Sequence, residues 1–147
     1  MKTIITSIIL VVFACNTNKQ YITKVKSPNQ DIILEFNIGQ EGQPVYKVLK
    51  NKKPIVTTSK LGFKAEEVDF SQNLSIQRTE VNAFHEKWKP VWGQSAEIEN
   101  SYNSLTVHLA NSNGYLIQIE FRVFDDGIGF RYVFPEQPNH HTLTIRD

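Results

Sequence analysis

The chain has 147 residues, and its 16 Lys or Arg and 15 Asp or Glu residues give a formal net charge of +1. Because the two signs are interspersed, no basic stripe could follow a nucleic-acid backbone, and we expect no nucleic-acid partner. The single cysteine excludes an intramolecular disulfide, and the length suits one domain behind an N-terminal leader.

The first 15 residues have the features of a bacterial secretory signal. An apolar run over residues 4 to 14 is too short for a membrane span, and it ends in a lipobox-like Val-Phe-Ala-Cys with Cys15 as candidate lipid acceptor. The alternative is ordinary signal cleavage after Ala14. We expect an exported bacterial protein, periplasmic or an outer-membrane-anchored lipoprotein, that contacts a membrane only through this lipid. Residues 16 to 25 are predicted to form a flexible tether, and residues 26 to 147 a β-sandwich domain.

The next part of the chain predicts short strands separated by turns. Residues 31 to 38 alternate apolar and polar side chains and predict the first strand. No segment keeps a helical period over about 11 residues, so the fold class is predicted to be all-β, an antiparallel β-sandwich. Further strands are expected at residues 45–49, 55–58, 61–63, 74–81 and 97–99, with a basic turn at 50–54 and a loop at 65–73.

A three-residue loop, Ser112-Asn113-Gly114, predicts the first hairpin of a three-stranded meander over residues 104 to 134. With the glycine in the left-handed conformation, this loop places three apolar pairs on one face. The pairs are Leu109 with Ile117, Val107 with Ile119, and Leu105 with Phe121.

Asp126-Gly127 predicts the second hairpin, because glycine supplies the positive φ that a type I′ turn requires. With the predicted two-residue loop, the apolar side chains of the third strand lie on the same face of the meander as the apolar pairs of the first hairpin. We expect this shared face to belong to the core. The predicted pairs are Val123 with Phe130, Phe121 with Tyr132, and Ile119 with Phe134.

The opposite face of the meander is polar, and the same register sets Arg122 directly across from Arg131. Two guanidinium groups repel there, and Glu120 compensates only in part, so a further carboxylate is expected from elsewhere. This face is either solvated with its counterions or docked against another domain.

Both tryptophans of the chain lie in the segment Trp-Lys-Pro-Val-Trp-Gly at residues 88 to 93. An extended backbone here puts Trp88, Pro90 and Trp92 on one face, near an edge of the sheet. Such a strip could stack on a pyranose ring or contact another domain, because an indole offers a broad apolar plane with one N–H donor. Core packing is the alternative.

The sequence shows no established catalytic or metal-binding motif. His140-His141 would point to opposite faces of a strand, and Asp125-Asp126 are explained as turn formers. Glu97 and Glu99 form a carboxylate pair of the kind that glycosidases use, but solvent exposure explains them better. We therefore predict no catalytic residue and no metal ligand in this chain.

Several of these motifs together resemble the N-terminal domain of glycoside hydrolase family 97. The Trp-x-Pro-Val-Trp-Gly stretch at residues 88 to 93 is the more specific part, and the aromatic hairpin at residues 121 to 132 is the longest. The set also includes Ser27-Pro28-Asn29, Leu61-Gly62 and Tyr102-Asn103. The resemblance covers residues 27 to about 137.

The resemblance implies a β-super-sandwich of the galactose-mutarotase type, followed in family members by a catalytic (β/α)₈ barrel. Those members are exported α-glucosidases or α-galactosidases that bind calcium and draw their catalytic carboxylates from the barrel. Calcium is therefore expected in the full-length enzyme and not on residues of this chain. The alternating pattern of residues 142 to 146 further favours a sandwich that is incomplete at its C-terminus, as in a truncated or split reading frame.

Three hypotheses for the function follow. The leading one is the first part of an exported α-glycosidase, whose sandwich supports the substrate site of the missing barrel in cis and contacts carbohydrate, an α-glucoside or α-galactoside. The second is a free-standing, lipid-anchored carbohydrate-binding module, and the third is a structural cell-surface sandwich. The candidate contact residues are Trp88, Pro90, Trp92, Arg122 and Arg131.

Overall fold

The computed structural model describes residues 22 to 92, 97 to 137 and 144 to 145. These residues form two four-stranded antiparallel sheets, so the predicted all-β sandwich is confirmed. Within the described part, a 3₁₀ turn at Gln40–Gly42 is the one helical element, and no helix there could cross a membrane. Sheet 1 has the order β1 (Thr23–Lys26), β2 (Ile32–Ile38), β3 (Pro44–Lys50), β4 (Lys53–Lys60). Sheet 2 has the order β5 (Leu74–Trp88), β6 (Ile98–Asn111), β7 (Leu116–Val123), β8 (Ile128–Val133).

The core lies between the sheets because each strand turns alternate apolar residues inwards. Phe36 of β2 and Phe121 of β7 are fully buried, and their ring centroids lie 5.8 Å apart. Tyr46 of β3 extends this contact across the sandwich to Phe121 and Phe130. The other largest fully buried side chains are Phe70, Ile32, Leu34, Val48, Leu105, Val107, Leu109, Ile117, Ile119 and Val123.

The first predicted hairpin is confirmed in register. Residues 112 to 114 connect β6 to β7, and Gly114 has the expected left-handed φ of 84°. The side chain of Asn111 stabilises this loop, since its Oδ1 accepts hydrogen bonds from the backbone N–H groups of Asn113 and Tyr115. The three predicted pairs all occur: Leu105 with Phe121, Val107 with Ile119, and Leu109 with Ile117.

The second predicted hairpin has the correct faces and the wrong register. Its loop has four residues, 124 to 127, instead of the predicted two. The Phe124 N–H donates to the Gly127 carbonyl, and Gly127 does not have the positive φ that a type I′ turn requires. A tertiary contact holds this loop, since Asp125 Oδ1 accepts the Asn29 N–H at 2.9 Å. The shift is two residues, which leaves every side chain on its predicted face. The observed pairs are Val123 with Ile128, Phe121 with Phe130, and Ile119 with Tyr132.

The N-terminal sheet begins earlier than predicted. β1 precedes the predicted first strand, and its Val25 is only 4% exposed. The tether predicted at residues 16 to 25 therefore cannot include residues 23 to 25. A single buried valine among lysines gives too weak a pattern for a sequence-based prediction. The basic turn is also tighter than predicted, because Asn51 and Lys52, with φ of 50° and 65°, form a two-residue loop.

The segment between the sheets contributes to the core, although its polar composition predicted a loop. Val68 and Phe70 are buried, and Phe70 packs its ring against Phe63 at 5.3 Å. The expected short strand at residues 61 to 63 is irregular instead, and the Gly62 N–H donates to the hydroxyl of Tyr132.

Strands β5 and β6 are much longer than the weak signals at residues 74–81 and 97–99 predicted. They pair from Leu74 opposite Asn111 to Trp88 opposite Ile98, whereas β7 reaches only as far as Asn103. Residues 84–88 and 98–102 therefore form a two-stranded ribbon, here called the arm, which extends about 17 Å beyond the rest of sheet 2.

Some predictions fall outside the described residues. These are the signal with Cys15, most of the tether, and the His140-His141 pair. Of the strand predicted at residues 142 to 146, only Thr144 and Ile145 are described, and Ile145 forms a bridge with Ala65.

Candidate contact surface on the outer face of sheet 2

Sheet 2 carries a cluster of apolar side chains on the face that points away from sheet 1. Phe84 pairs with Tyr102 and Trp88 with Ile98, so alternation puts all four on the face opposite the core. Phe124 joins them from the β7–β8 loop, 5.1 Å from the Tyr102 ring. We call these five residues the outer aromatic face. Sequence analysis missed Phe84, Tyr102 and Phe124 as members of a surface, although the spacing of Phe84 and Trp88 in a strand could have indicated it.

Tyr102 is the centre of this face and is only 9% exposed. Phe84 stacks on it with ring centroids 4.9 Å apart and an angle of 23°. The guanidinium of Arg122 lies over the same ring at 4.9 Å, a cation–π contact. Two of the predicted contact residues are therefore connected with this cluster. Arg122 contacts the Tyr102 ring, and Trp88 lies at the end of the strand that contains Phe84.

Glu120 sits between the two arginines on the same side of the sheet. Arg131 is directly across from Glu120, and Arg122 is across from Gly129, so the predicted opposition of the two arginines is wrong. Arg131 Nε donates to Glu120 Oε2 at 2.8 Å, and Arg122 Nη2 donates to Oε1 at 3.1 Å. One carboxylate therefore bridges both guanidinium groups, and the repulsion that called for a further carboxylate does not arise.

The environment of Glu120 lowers the pKa of its carboxyl group. Burial, the largest single effect, raises this pKa, but hydrogen bonds from Arg131 and Arg122 and their positive charges together outweigh burial. The carboxylate is therefore held ionised at neutral pH. The three side chains Glu120, Arg122 and Arg131 together keep one uncompensated positive charge.

We expect the Glu120→Gln variant to lose a pH-dependent part of the stability. Because the folded-state pKa lies below its ordinary value of 4.5, the ionised group stabilises the fold above that pH, and this contribution disappears as the pH falls through the folded-state pKa. The difference from wild type should be roughly 0.5–1 kcal/mol at pH 7, given the solvent exposure of Arg131. Urea unfolding of both proteins from pH 7 down to pH 3 measures it. A difference that stays constant with pH would contradict this assignment.

A shallow depression lies beside this bridged pair. Its volume is 220 Å³, below the range of about 300–1,000 Å³ usual for small-molecule pockets, so it could hold one sugar ring or a side chain from a partner. It is lined by Glu120, Arg122, Phe124, Gly129, Phe130 and Arg131.

The tip of the arm exposes both tryptophans. Trp88 is 41% exposed and Trp92 is 89% exposed, with Val91 beside it almost fully exposed, so core packing does not describe Trp92. β5 ends at Trp88, and the backbone bends at residues 91 and 92. The alternation that predicted one strip of Trp88, Pro90 and Trp92 therefore stops at Trp88, and their joint contact role stays a prediction.

Two of the four carboxylates considered for chemistry, Glu99 and Asp125, have structural partners. Glu99 lies 3.2 Å from the Lys87 ammonium, and Asp125 accepts the Asn29 N–H. Across the described ranges, no three His, Cys, Asp or Glu side chains converge as a metal site. Calcium thus stays a prediction for the longer enzyme.

The sequence matches the glycosyl-hydrolase 97 N-terminal family over residues 25 to 147. The chain belongs to this family. Similar solved structures include a glycoside hydrolase family 97 enzyme from Pseudoalteromonas sp. strain K8 in complex with panose, which is 27% identical with a TM-score of 0.76. That match covers 84% of this chain and 19% of the enzyme. A β-arabinopyranosidase is 28% identical with a TM-score of 0.76, over 84% of this chain and 20% of that one. The chain thus spans about a fifth of the length of these relatives.

Two motifs of this family 97 domain gain a structural explanation. Ser27-Pro28-Asn29 forms the β1–β2 turn, where the Ser27 hydroxyl accepts the Ile32 N–H and Asn29 reaches Asp125 of the β7–β8 loop. Leu61-Gly62 forms the crossing between the sheets, where Gly62 bonds to Tyr132. Both motifs therefore hold the two sheets together.

Proposed function

We propose that this chain is the first part of an exported α-glucosidase or α-galactosidase, lipid-anchored through Cys15, whose sandwich supports the substrate site of a catalytic (β/α)₈ barrel in cis. Calcium would belong to the barrel portion. The observation that carries the proposal is the apolar surface of the arm, which faces away from the core of its own domain. The chain by itself is not proposed to catalyse hydrolysis.

The arm does not bury enough apolar surface within its own domain to be stable by itself. A two-stranded ribbon in water is marginally stable, and a contiguous exposed apolar patch usually marks an interaction site. Phe84, at 39% exposed, Trp88 and Ile98 all present apolar area to solvent on one face. A neighbouring domain laid against that face would bury these side chains and fix the arm.

The comparisons support a sugar as substrate of the longer enzyme. The Pseudoalteromonas enzyme is described in complexes with panose and with acarbose, and the second relative is a β-arabinopyranosidase. The proposed α-glucoside or α-galactoside class is narrower than this range. Aryl glycosides of glucose, galactose and arabinose, offered in parallel to the longer enzyme, would therefore identify the sugar.

A second candidate function, a carbohydrate-binding module, is favoured by the exposure of Trp92. The two candidates predict opposite results, and the chain offers a clean probe because Trp88 and Trp92 are its only tryptophans. We expect neither maltose nor melibiose to give saturable heat or a saturable change in tryptophan emission. We expect a family 97 barrel supplied in trans to shift the emission to shorter wavelength, as the indoles become buried.

The matched control is Ile55→Ala, an exposed apolar residue on β4 of the other sheet. It should leave the barrel-induced shift unchanged, whereas Phe84→Ala should weaken it. Saturable sugar binding without the barrel would establish the module instead. Release of sugar from an aryl α-glycoside by the purified chain would overturn the proposal of a non-catalytic support.

A further inference from the structure

Charge is divided unevenly between the two sheets, although the whole chain is nearly neutral. Residues 22 to 60, which form sheet 1, contain seven lysines and three carboxylates, a net charge of +4. The segment from residue 74 to residue 133, which includes the four strands of sheet 2, contains five basic and seven acidic residues, a net charge of −2. The sheet 1 side of the domain is therefore net positive and the sheet 2 side net negative.

Four of the seven lysines, Lys24, Lys26, Lys47 and Lys60, point out of the sandwich. Lys24 and Lys26 flank the buried Val25 and so point outwards, and Lys60 pairs with the outward Val45. Within the described part of the chain, Lys24 alone among the seven pairs with a carboxylate, at 2.6 Å from Glu35. We call the outward set the basic face: Lys24, Lys26, Lys47 and Lys60. Lys52 lies in the adjoining β3–β4 loop, and Lys50 and Lys53 are exposed at the end of the sheet on the same side as Ile32.

The three carboxylates of sheet 1 do not neutralise this face. Glu35 is paired with Lys24, and Glu41 lies in the 3₁₀ turn at the opposite end of β2 from Lys26. Asp31 lines a depression of 510 Å³ together with Lys26 and Lys52, so one carboxylate stands among two lysines there. The basic face thus keeps its excess of positive charge.

We propose that the basic face of sheet 1 lies against an anionic lipid surface. Lysines attract such a surface only at short range, because the attraction decays within about 8 Å at physiological salt. A tether must therefore hold the face close to the lipid. β1 begins at Thr23, and the chain from Cys15 to Thr23 spans at most about 25–30 Å. This proximity rests on the proposed lipid anchor at Cys15.

Protection of sheet edges is the competing explanation for these lysines. It accounts for Lys53 and Lys60 on the edge strand β4. It does not account for Lys47 on the central strand β3. Nucleic acid fits this face less well than lipid, because residues 22 to 60 contain no arginine. The guanidinium group of arginine, with its forked set of N–H donors, is the group that favours recognition of backbone phosphates.

This orientation has a consequence for the enzyme. If sheet 1 faces the lipid, the outer aromatic face of sheet 2 points away from it, towards the side where the rest of the glycosidase and a soluble sugar would lie. The acidic balance of sheet 2 reinforces this orientation, because an anionic surface repels it.

The test uses the full chain with Cys15→Ser, so that no acyl chain contributes, and vesicles of phosphatidylcholine with and without phosphatidylglycerol. The variant Lys47→Glu/Lys60→Glu is compared with Lys87→Glu/Lys89→Glu, which makes the same change in net charge on the segment of sheet 2. We expect the sheet 1 variant to lose anionic-vesicle binding by roughly tenfold or more. The control should stay within about threefold of the parent.

The apolar leader is present in every protein and takes the place of the acyl chain as the tether, so its own binding to the vesicles cancels in the comparison. Circular dichroism confirms that each variant is folded, and Lys47→Gln/Lys60→Gln replaces the charge reversal if that variant unfolds. The proposal would be overturned if the two double variants lost vesicle binding equally, or if the parent protein showed no preference for anionic vesicles. Neither result bears on acylation of Cys15, which incorporation of labelled palmitate measures separately.

Discussion

Gly62→Ala is expected to lower the free energy of unfolding by more than about 3 kcal/mol. Gly62 has a φ of +119°, and an added Cβ would lie 2.5 Å from the carbonyl oxygen of Phe70 and also clash with the backbone of Ser71. The backbone cannot move away cheaply, because Phe70 is fully buried and the Gly62 N–H bonds to Tyr132 at 2.8 Å. Urea unfolding followed by circular dichroism measures the loss.

Gly114→Ala is the matched control, because it separates backbone strain from the clash. Gly114 also has a left-handed φ, +84°, but its added Cβ would meet no atom within 4 Å. We expect a loss of about 1 kcal/mol there. Similar losses at the two glycines would mean that the close approach at Gly62 has no energetic weight.

Phe121→Ala is expected to lower the free energy of unfolding by about 3–5 kcal/mol, because it leaves a cavity at the junction of the sheets. The Phe121 ring contacts the rings of Phe36, Tyr46 and Phe130, and it has no exposed area. Small all-β domains have modest stability, so this loss could unfold the protein at 25 °C. Thermal and urea denaturation both report it.

Phe84→Ala is the control for removal of an aromatic ring without loss of core. Its ring stacks on Tyr102 on the outer face and is partly solvated, so we expect a loss of roughly 1 kcal/mol. If Phe84→Ala cost as much as Phe121→Ala, the outer aromatic face would belong to the folding core, and its role as a contact surface would lose its basis.

Local pattern was sufficient to predict the meander of sheet 2. Alternation assigned Leu105, Val107 and Leu109 to the core face, and the loop ending in Gly114 set their partners on β7 correctly. Both signals act over a few residues, since side-chain direction has a period of two and a short loop allows few registers.

Contacts between distant residues decided the rest of that sheet. The β7–β8 loop is four residues wide while Asp125 binds the Asn29 amide, 96 positions away in the chain. The resulting shift of two residues placed Glu120, and not Arg122, opposite Arg131. No local signal carries that information, so the charge pairing of the candidate site was beyond sequence analysis.

The same limit applies to the buried crossing and to the arm. Phe70 lies in a polar segment, and it is buried because the crossing at Gly62 brings it under Phe63 and Phe134. The length of β5 came from its pairing with β6, which continues through the weakly patterned residues 82 to 88.

The sequence alone therefore determined the all-β class, the core face of each meander strand, one hairpin register and the family 97 relationship. These rest on short-range periodicity, turn chemistry and motifs. Only the tertiary structure decided which carboxylate bridges the two arginines, which loop residues are buried, and that Trp88 lies on the side of the sheet away from the core. Each of these depends on contacts between segments far apart in the chain, whose free energies a local pattern does not contain.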